Sequence, residues 1–154
     1  MDWSAAVDRI FKLQTIWSGM NGRCNSFKNR SWKDYGAKGI DLCAEWSGRQ
    51  GSIRFIKWAL SNGYLEGLDI DRRDNSKGYS PGNCRFTTRQ ENCWNKSNNT
   101  MLTFAGETKC IAAWGDDLRC VVPSNQFQQR IKCGWDVERA LFTPLRRTNN
   151  GKKT

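Results

Sequence analysis

The 154-residue sequence contains no histidine. That excludes Ser/His/Asp hydrolase chemistry and His-rich metal sites, and any general base must be another residue type. Acidic residues are in short supply, 15 Asp and Glu against 25 Lys and Arg, for a formal net charge of +10. Such a balance favours a polyanionic partner, nucleic acid first, although it also suits a basic protein without one. No apolar run approaches the roughly 20 residues needed to cross a bilayer. Met1-Asp2-Trp3 opens no charged-then-apolar leader, so the expectation is a soluble protein of the cytoplasm. Cys24, Cys43, Cys84, Cys93, Cys110, Cys120 and Cys133 stand singly, without a C-x-x-C pair. Structural zinc is poorly served by that spacing, a long-range site from Cys24, Cys43 and Cys84 being the remaining option. An odd number of cysteines in a reducing compartment reads as free, mostly buried thiols.

A chain of this length buries one modest core, or forms a main domain with a small appendage. Residues 4–20 carry Val7, Ile10, Phe11, Leu13, Ile16, Trp17 and Met20 close to a 3.6-residue period, which predicts a helix. Residues 21–45 are rich in Gly, Asn, Ser and Lys and predict loops around short strands, Lys38-Gly39-Ile40-Asp41-Leu42 being one strand candidate. Ser52 is a candidate cap for a second helix to about Leu60, with Phe55, Trp58 and Ala59 inward and Asn62-Gly63 as its stop. Residues 95–100 (NKSNNT) lack periodicity and read as a linker. Beyond it, residues 102–104 and Thr108 predict a hairpin turning at Ala105-Gly106. A helix over about 110–118 follows, with Ile111, Trp114 and Leu118 on one face. Pro123 and Ser124 suit the start of another helix, running through Cys133 and stopped by Gly134. Asp136 suits the cap of a last helix over 137–141. Two short helices around a turn of roughly four to five residues fit a helix-turn-helix.

The densest signal is residues 69–98, DIDRRDNSKGYSPGNCRFTTRQENCWNKSN. An apolar run closes on a carboxylate (Leu68, Ile70, Asp71), and a loop of Gly, Ser, Pro and Asn follows. A strand-like stretch then begins at Asn83, and a polar helix-like stretch carries Asn92. Hydrolysing a phosphodiester needs charge stabilisation at oxygen and a deprotonated nucleophile. A hard divalent ion supplies the first and takes oxygen ligands. Asp71 at a strand end and Asn92 on a helix are suitable types, and a hairpin between them would gather both into one site. Asn83 can hydrogen-bond across the loop and hold it rigid. Taken singly, Asp71 with Arg72 also suits a surface ion pair, and Asn92 a solvated helix position.

The segment resembles the HNH, or ββα-metal, endonucleases, those of bacteriophages above all. The matching residues are Asp71-Arg72, Gly78-Tyr79-Ser80-Pro81-Gly82-Asn83, Cys84-Arg85-Phe86, Thr88, Gln90 and Asn92, with WSGMNGRC (17–24), YGAKGI (35–40) and CAEW (43–46) upstream. The second half is similar to the small helix-turn-helix modules that follow such nucleases, through Leu102-Thr103-Phe104, Trp114 and GWDVERAL (134–141). The resemblance covers roughly residues 10–144. It implies an enzyme that cuts or nicks double-stranded DNA at a preferred sequence. It also implies a divalent metal, Mg²⁺ rather than zinc, held by Asp71 and Asn92, with Asn83 as the structural asparagine. Arg72 stands where most of the family has histidine as general base. Tyr35 is the candidate for the base role and Tyr79 the runner-up, and since tyrosine ionises near ~10, a cation such as Arg72 would have to assist. Alternatively Arg72 clamps the phosphate, stabilising its added charge, and metal-bound water loses its proton to solvent. A bacteriophage or mobile-element origin, and hence the host cytoplasm, follows from the resemblance.

Arg85, Arg89 and Lys96 lie on or beside the finger, where contacts to phosphates would position a duplex without reading it. On the helix of the second half, Ser124, Asn125, Gln128, Gln129 and Lys132 would form the outer side, suited to base edges in the major groove. The eight tryptophans read mostly as core. The expectation is therefore an α+β protein, with an HNH-type nuclease domain over 1–98, a helix-turn-helix module over 99–145 and a basic tail over 146–154. Its partner would be double-stranded DNA, with no membrane, as a monomer or homodimer. Two other classes fit the same residues: a catalytically inactive HNH-like DNA-binding regulator, and a phage protein that binds a host protein.

Overall fold

The computed structural model describes residues 3–146, so the expected basic tail beyond Arg146 lies outside the described residues. The architecture is α+β, with helices and two small antiparallel sheets of two strands each. The chain divides into two compact units between Asn95 and Lys96. Among the described residues no helix is long and apolar enough to cross a membrane.

In the first unit α1 spans Trp3–Asn25. It runs past the expected end because Leu13, Met20 and Cys24 form one buried stripe at helical spacing. Val7, Ile10 and Phe11, which share the helical period, are exposed, and the first fully buried residue of the helix is Leu13. Three 3₁₀ turns follow, Trp32–Asp34, Gly36–Lys38 and Ala44–Trp46. The strand expected at residues 38–42 is absent. Gly39 takes a left-handed φ of 75° that bends the chain out of the extended region. Only Leu42 pairs, in an isolated bridge to Tyr79. Helix α2, Gly51–Ser61, buries Phe55 and Ala59, and the Phe55 ring meets Trp46 edge-on at 5.1 Å. Ser52 lies inside that helix, and its N-cap is Gln50, with no side-chain bond. Gly51 is needed there, since a Cβ would stand 2.0 Å from the Trp46 carbonyl oxygen.

Strand β1, Asp69–Arg72, pairs antiparallel with β2, Cys84–Thr87, setting Asp69 opposite Thr87 and Asp71 opposite Arg85. Helix α3, Arg89–Trp94, starts with a capping box: Thr88 Oγ1 accepts from the Glu91 amide while the Glu91 carboxylate accepts from the Thr88 amide. This strand–loop–strand–helix segment packs on the core of Leu13, Met20, Trp46, Phe55 and Tyr64 through Ile70, Cys84 and Phe86.

In the second unit β3, Met101–Phe104, and β4, Glu107–Cys110, form a hairpin. Its turn residues Ala105 and Gly106 both have positive φ, 50° and 78°, the handedness that matches strand twist in a two-residue turn. Helix α4 covers only Ile111–Gly115. It stops short of Leu118, which is fully exposed, because the chain turns at Asp117, whose Oδ1 accepts from the Arg119 amide at 3.0 Å. Helix α5, Ser124–Lys132, begins after Pro123, and α6, Val137–Phe142, is capped by Asp136, whose Oδ1 accepts from the Arg139 amide at 2.8 Å. Trp114, Val122, Phe127, Ala140 and Leu141 make this unit's core, and Trp114 Nε1 donates to the Leu102 carbonyl at 2.8 Å. Residues 116–123 link α4 to α5, a longer connection than the expected turn.

Candidate active site

The hairpin register decides what surrounds Asp71. Arg85, directly across on β2, donates from Nε to Asp71 Oδ2 at 2.9 Å. The C-cap of α3 brings Asn95 to the same carboxylate. Its Nδ2 lies 2.9 Å from Oδ1, 3.1 Å from Oδ2 and 2.6 Å from the Arg72 carbonyl oxygen. Asp71 is 4% exposed. Three oxygens thus face one amide nitrogen that has two protons.

Asn92 is placed elsewhere. One helical turn before Asn95, it lines a cleft of about 360 Å³ with Thr15, Ile16, Gly19 and Arg23 of α1 and Asp69 and Ile70 of β1. Asp69 and Asp71 share a face of β1 by strand alternation, and Asn92 and Asn95 share a face of α3. Asn95 falls at Asp71, and Asn92 falls toward Asp69. The carboxamide that reaches Asp71 is therefore Asn95, which sequence reasoning assigned to a linker. The three-residue step from Asn92 was the available signal.

Asn83 ties the intervening loop together. Its Oδ1 accepts from the Asp74 amide at 3.0 Å, and its Nδ2 donates to the carbonyls of Asp74 at 3.0 Å and Gly78 at 2.9 Å. Asp74 Oδ1 in turn accepts from the Ser76 amide and hydroxyl, and Lys77 pairs with the carboxylate at 3.1 Å. The Ser76 hydroxyl first, then its amide and Lys77, hold the Asp74 carboxyl down at about 2. At the far end of the loop the Tyr79 amide donates to the Asp41 carbonyl at 2.8 Å, and the Cys43 amide donates to the Tyr79 carbonyl at 2.9 Å. Gly78 permits this approach, since a Cβ there would stand 1.9 Å from Asp41 Oδ1.

Arg72 is buried beneath this loop. One terminal nitrogen donates to the carbonyls of Asn75 at 3.1 Å and Lys77 at 2.7 Å. Its guanidinium carbon lies 5.1 Å from the ring centres of both Tyr35 and Tyr79. Arg23 stands against the same pair at 5.2 and 5.1 Å, and the rings are near-parallel, 6.3 Å apart. Two arginines and two tyrosines thus form one cage. Burial pushes the Tyr79 phenol far above its ordinary value, which unsuits it as a base. Tyr35 is only partly buried. Burial also raises the thiols of Cys24 and Cys43, and that of Cys84 to about 11, keeping them protonated near neutrality. Among the described residues no three His, Cys, Asp or Glu side chains gather as they would to hold a metal ion.

Of the remaining expected binding residues, Arg89 is exposed at the start of α3. Lys96 is exposed but belongs to the second unit. On α5, Asn125, Gln129 and Lys132 are exposed and Gln128 is half-buried, all at helical spacing along one stripe. Ser124 sits at the crossing with α4, where a Cβ on Gly115 would stand 2.5 Å from its Oγ, and Ser124 Oγ accepts from Gln128 at 3.3 Å. No family model, curated protein or solved structure matches the chain.

The fit of a divalent ion can be judged from the donors present. Asp71 with the Arg72 carbonyl offers three hard oxygens, faced by the two Asn95 amide protons and the Arg85 Nε proton. Turning the Asn95 carboxamide over would put its oxygen where its nitrogen stands, since the two ends are interchangeable in shape. That set suits Mg²⁺ chemistry better than zinc chemistry. Asn92 is outside it.

Proposed function

We propose that the chain is a metal-dependent endonuclease of the ββα-metal (HNH) type acting on double-stranded DNA, its second unit serving as a helix-turn-helix reader. The observation that supports this best is the buried Asp71 carboxylate at a strand end, facing the carboxamide at the C-cap of α3, which the Arg72 carbonyl oxygen also meets. A divalent ion bound there supplies Lewis acidity toward phosphate oxygen and a more acidic water. Asp71, Asn95 in its turned orientation and the Arg72 carbonyl would hold that ion.

The chain's own groups divide the remaining work. Asn83 and Arg72 hold the loop that carries the strand end, so the two ligand-bearing elements keep one spacing. Arg85, whose side chain is 39% exposed, is the cation able to leave Asp71 and turn to a phosphate. Arg72, its donors taken by loop carbonyls, keeps a fixed positive charge beside the Tyr35 ring. Tyr35, once ionised to its phenolate, is the side chain proposed to accept the nucleophile's proton, with solvent as the other acceptor. On the second unit Asn125, Gln128, Gln129 and Lys132 present amides and a cation suited to a groove. Arg89 of the finger and Lys96 add sequence-independent attraction.

The closed state of Asp71, neutralised by Arg85, favours a second reading, an inactive HNH-like regulator that binds DNA without cutting. Incubation of supercoiled plasmid with the protein, with and without Mg²⁺, separates them. Nicking that requires the metal is expected. Salt-sensitive duplex binding without nicking would select the regulator.

A further inference from the structure

The cleft that contains Asn92 has no part in the ion-holding arrangement, and its lining includes one cation, Arg23, and one carboxylate, Asp69. We propose that this cleft, walled by α1, β1 and α3, binds one backbone phosphate of the DNA, with Arg23 as the residue that grips it. The inference rests on the nucleic-acid reading above and adds a second contact point to it. Arg23 and Arg72 lie against the same two tyrosine rings, but their donors differ. Those of Arg72 are engaged by the carbonyls of Asn75 and Lys77. The Arg23 Nε is buried without a hydrogen-bond partner, and no described carboxylate forms an ion pair with this side chain. A guanidinium fixed by two ring faces with unassigned donors is preorganised for phosphate, which it can meet through two parallel bonds.

Gly19 supplies an independent observation. It lies in the middle of α1 and lines the same cleft, and a Cβ there would meet nothing within 4 Å. Glycine weakens a helix interior relative to alanine, and no packing contact among the described residues explains its presence. What its missing side chain leaves is room along the cleft wall. Asn92 adds a carboxamide donor from α3. Asp69, on the β1 wall, repels anions and limits the site to a single phosphate next to Arg23.

The test is duplex binding by the full chain in EDTA, followed by fluorescence anisotropy over a salt series, so that cutting plays no part. Arg23→Gln is expected to weaken binding about tenfold and to lower the magnitude of the salt slope by about one phosphate contact. Gly19→Leu places a side chain in open space and favours helix. It is expected to keep or raise the thermal midpoint while weakening binding by a similar factor, which covers the case in which Arg23→Gln folds poorly. Asp69→Asn is expected to tighten binding. Wild-type affinity in a folded Gly19→Leu protein, or weaker binding by Asp69→Asn, would overturn the proposal. Either result in a protein that still nicks DNA removes the cleft alone; a wild type that binds no duplex removes the nucleic-acid reading as well.

Discussion

At the level of single residues the site turns on which group neutralises Asp71. A buried carboxylate is stable only when its charge is paired and its oxygens hydrogen-bonded, and here Arg85 supplies the charge and Asn95 further hydrogen bonds. Arg85→Ala removes the cation while leaving the oxygens in place. It is expected to lower stability by about 1–3 kcal/mol and to raise the affinity for Mn²⁺ or Mg²⁺, read by calorimetric titration of metal into the variant and the wild type. Unchanged metal affinity would mean that Arg85 does not compete for the carboxylate. Asp71, Arg72 and Asn83 could be singled out from their residue types and spacing. Asn95 could not, because its run NKSNNT has the composition of a linker and nothing in it shows that α3 aims its last turn at β1. The role expected of Arg72 is altered for a similar reason, since the carbonyls of a folded loop that engage its donors are invisible in a string of residues.

At the level of elements, the loop between β1 and β2 is held by side chain to backbone bonds converging on Asn83. Asn83→Ala leaves the Asp74 amide and two carbonyls without their partners and is expected to cost about 3 kcal/mol, measured by denaturant unfolding. A loss within error would show that the loop is held by the Leu42–Tyr79 bridge instead. The same loop carries an acid sensitivity. Asp74 is held at about 2, below its ordinary 3.8, so the folded loop favours the ionised form. That contribution is present above the ordinary value and is lost as pH falls from about 4 toward 2. Amide exchange of residues 74–78 is expected to quicken over that interval in the wild type and to stay level across it in Asp74→Asn. The long helix α1 and the hairpin at Ala105-Gly106 were readable because periodicity and turn chemistry are local. The false strand at residues 38–42 and the early end of α4 were not. Gly39 and Asp117 act through a backbone turn and a side-chain cap that apolar spacing does not register.

At the level of the whole molecule, two units with separate cores share a chain whose net charge is +10. Their separate cores, around Trp46 and around Trp114, leave each unit its own packing, and the proposed function would have the first cut and the second select. Removing residues 101–154 is expected to reduce preference among DNA sequences more than basal nicking, scored by mapping cut positions on a plasmid. Equal preference in the shortened protein would assign sequence choice to the finger. The α+β class was legible in hydrophobic patterning, and the polar run 95–100 marked a boundary that was expected after residue 98 and lies between Asn95 and Lys96. The arrangement inside the site was not, because it depends on helix register against a strand.

The most direct measurement is Mg²⁺-dependent nicking of supercoiled plasmid by the wild type beside Asp71→Ala, Asn95→Ala and Asn92→Ala, each first shown to be folded by its thermal transition. Loss of nicking by at least about a hundredfold is expected for Asp71→Ala and Asn95→Ala, as for removal of a metal ligand or its close support, with a smaller loss for Asn92→Ala. Wild-type nicking by folded Asp71→Ala would contradict the account at its centre.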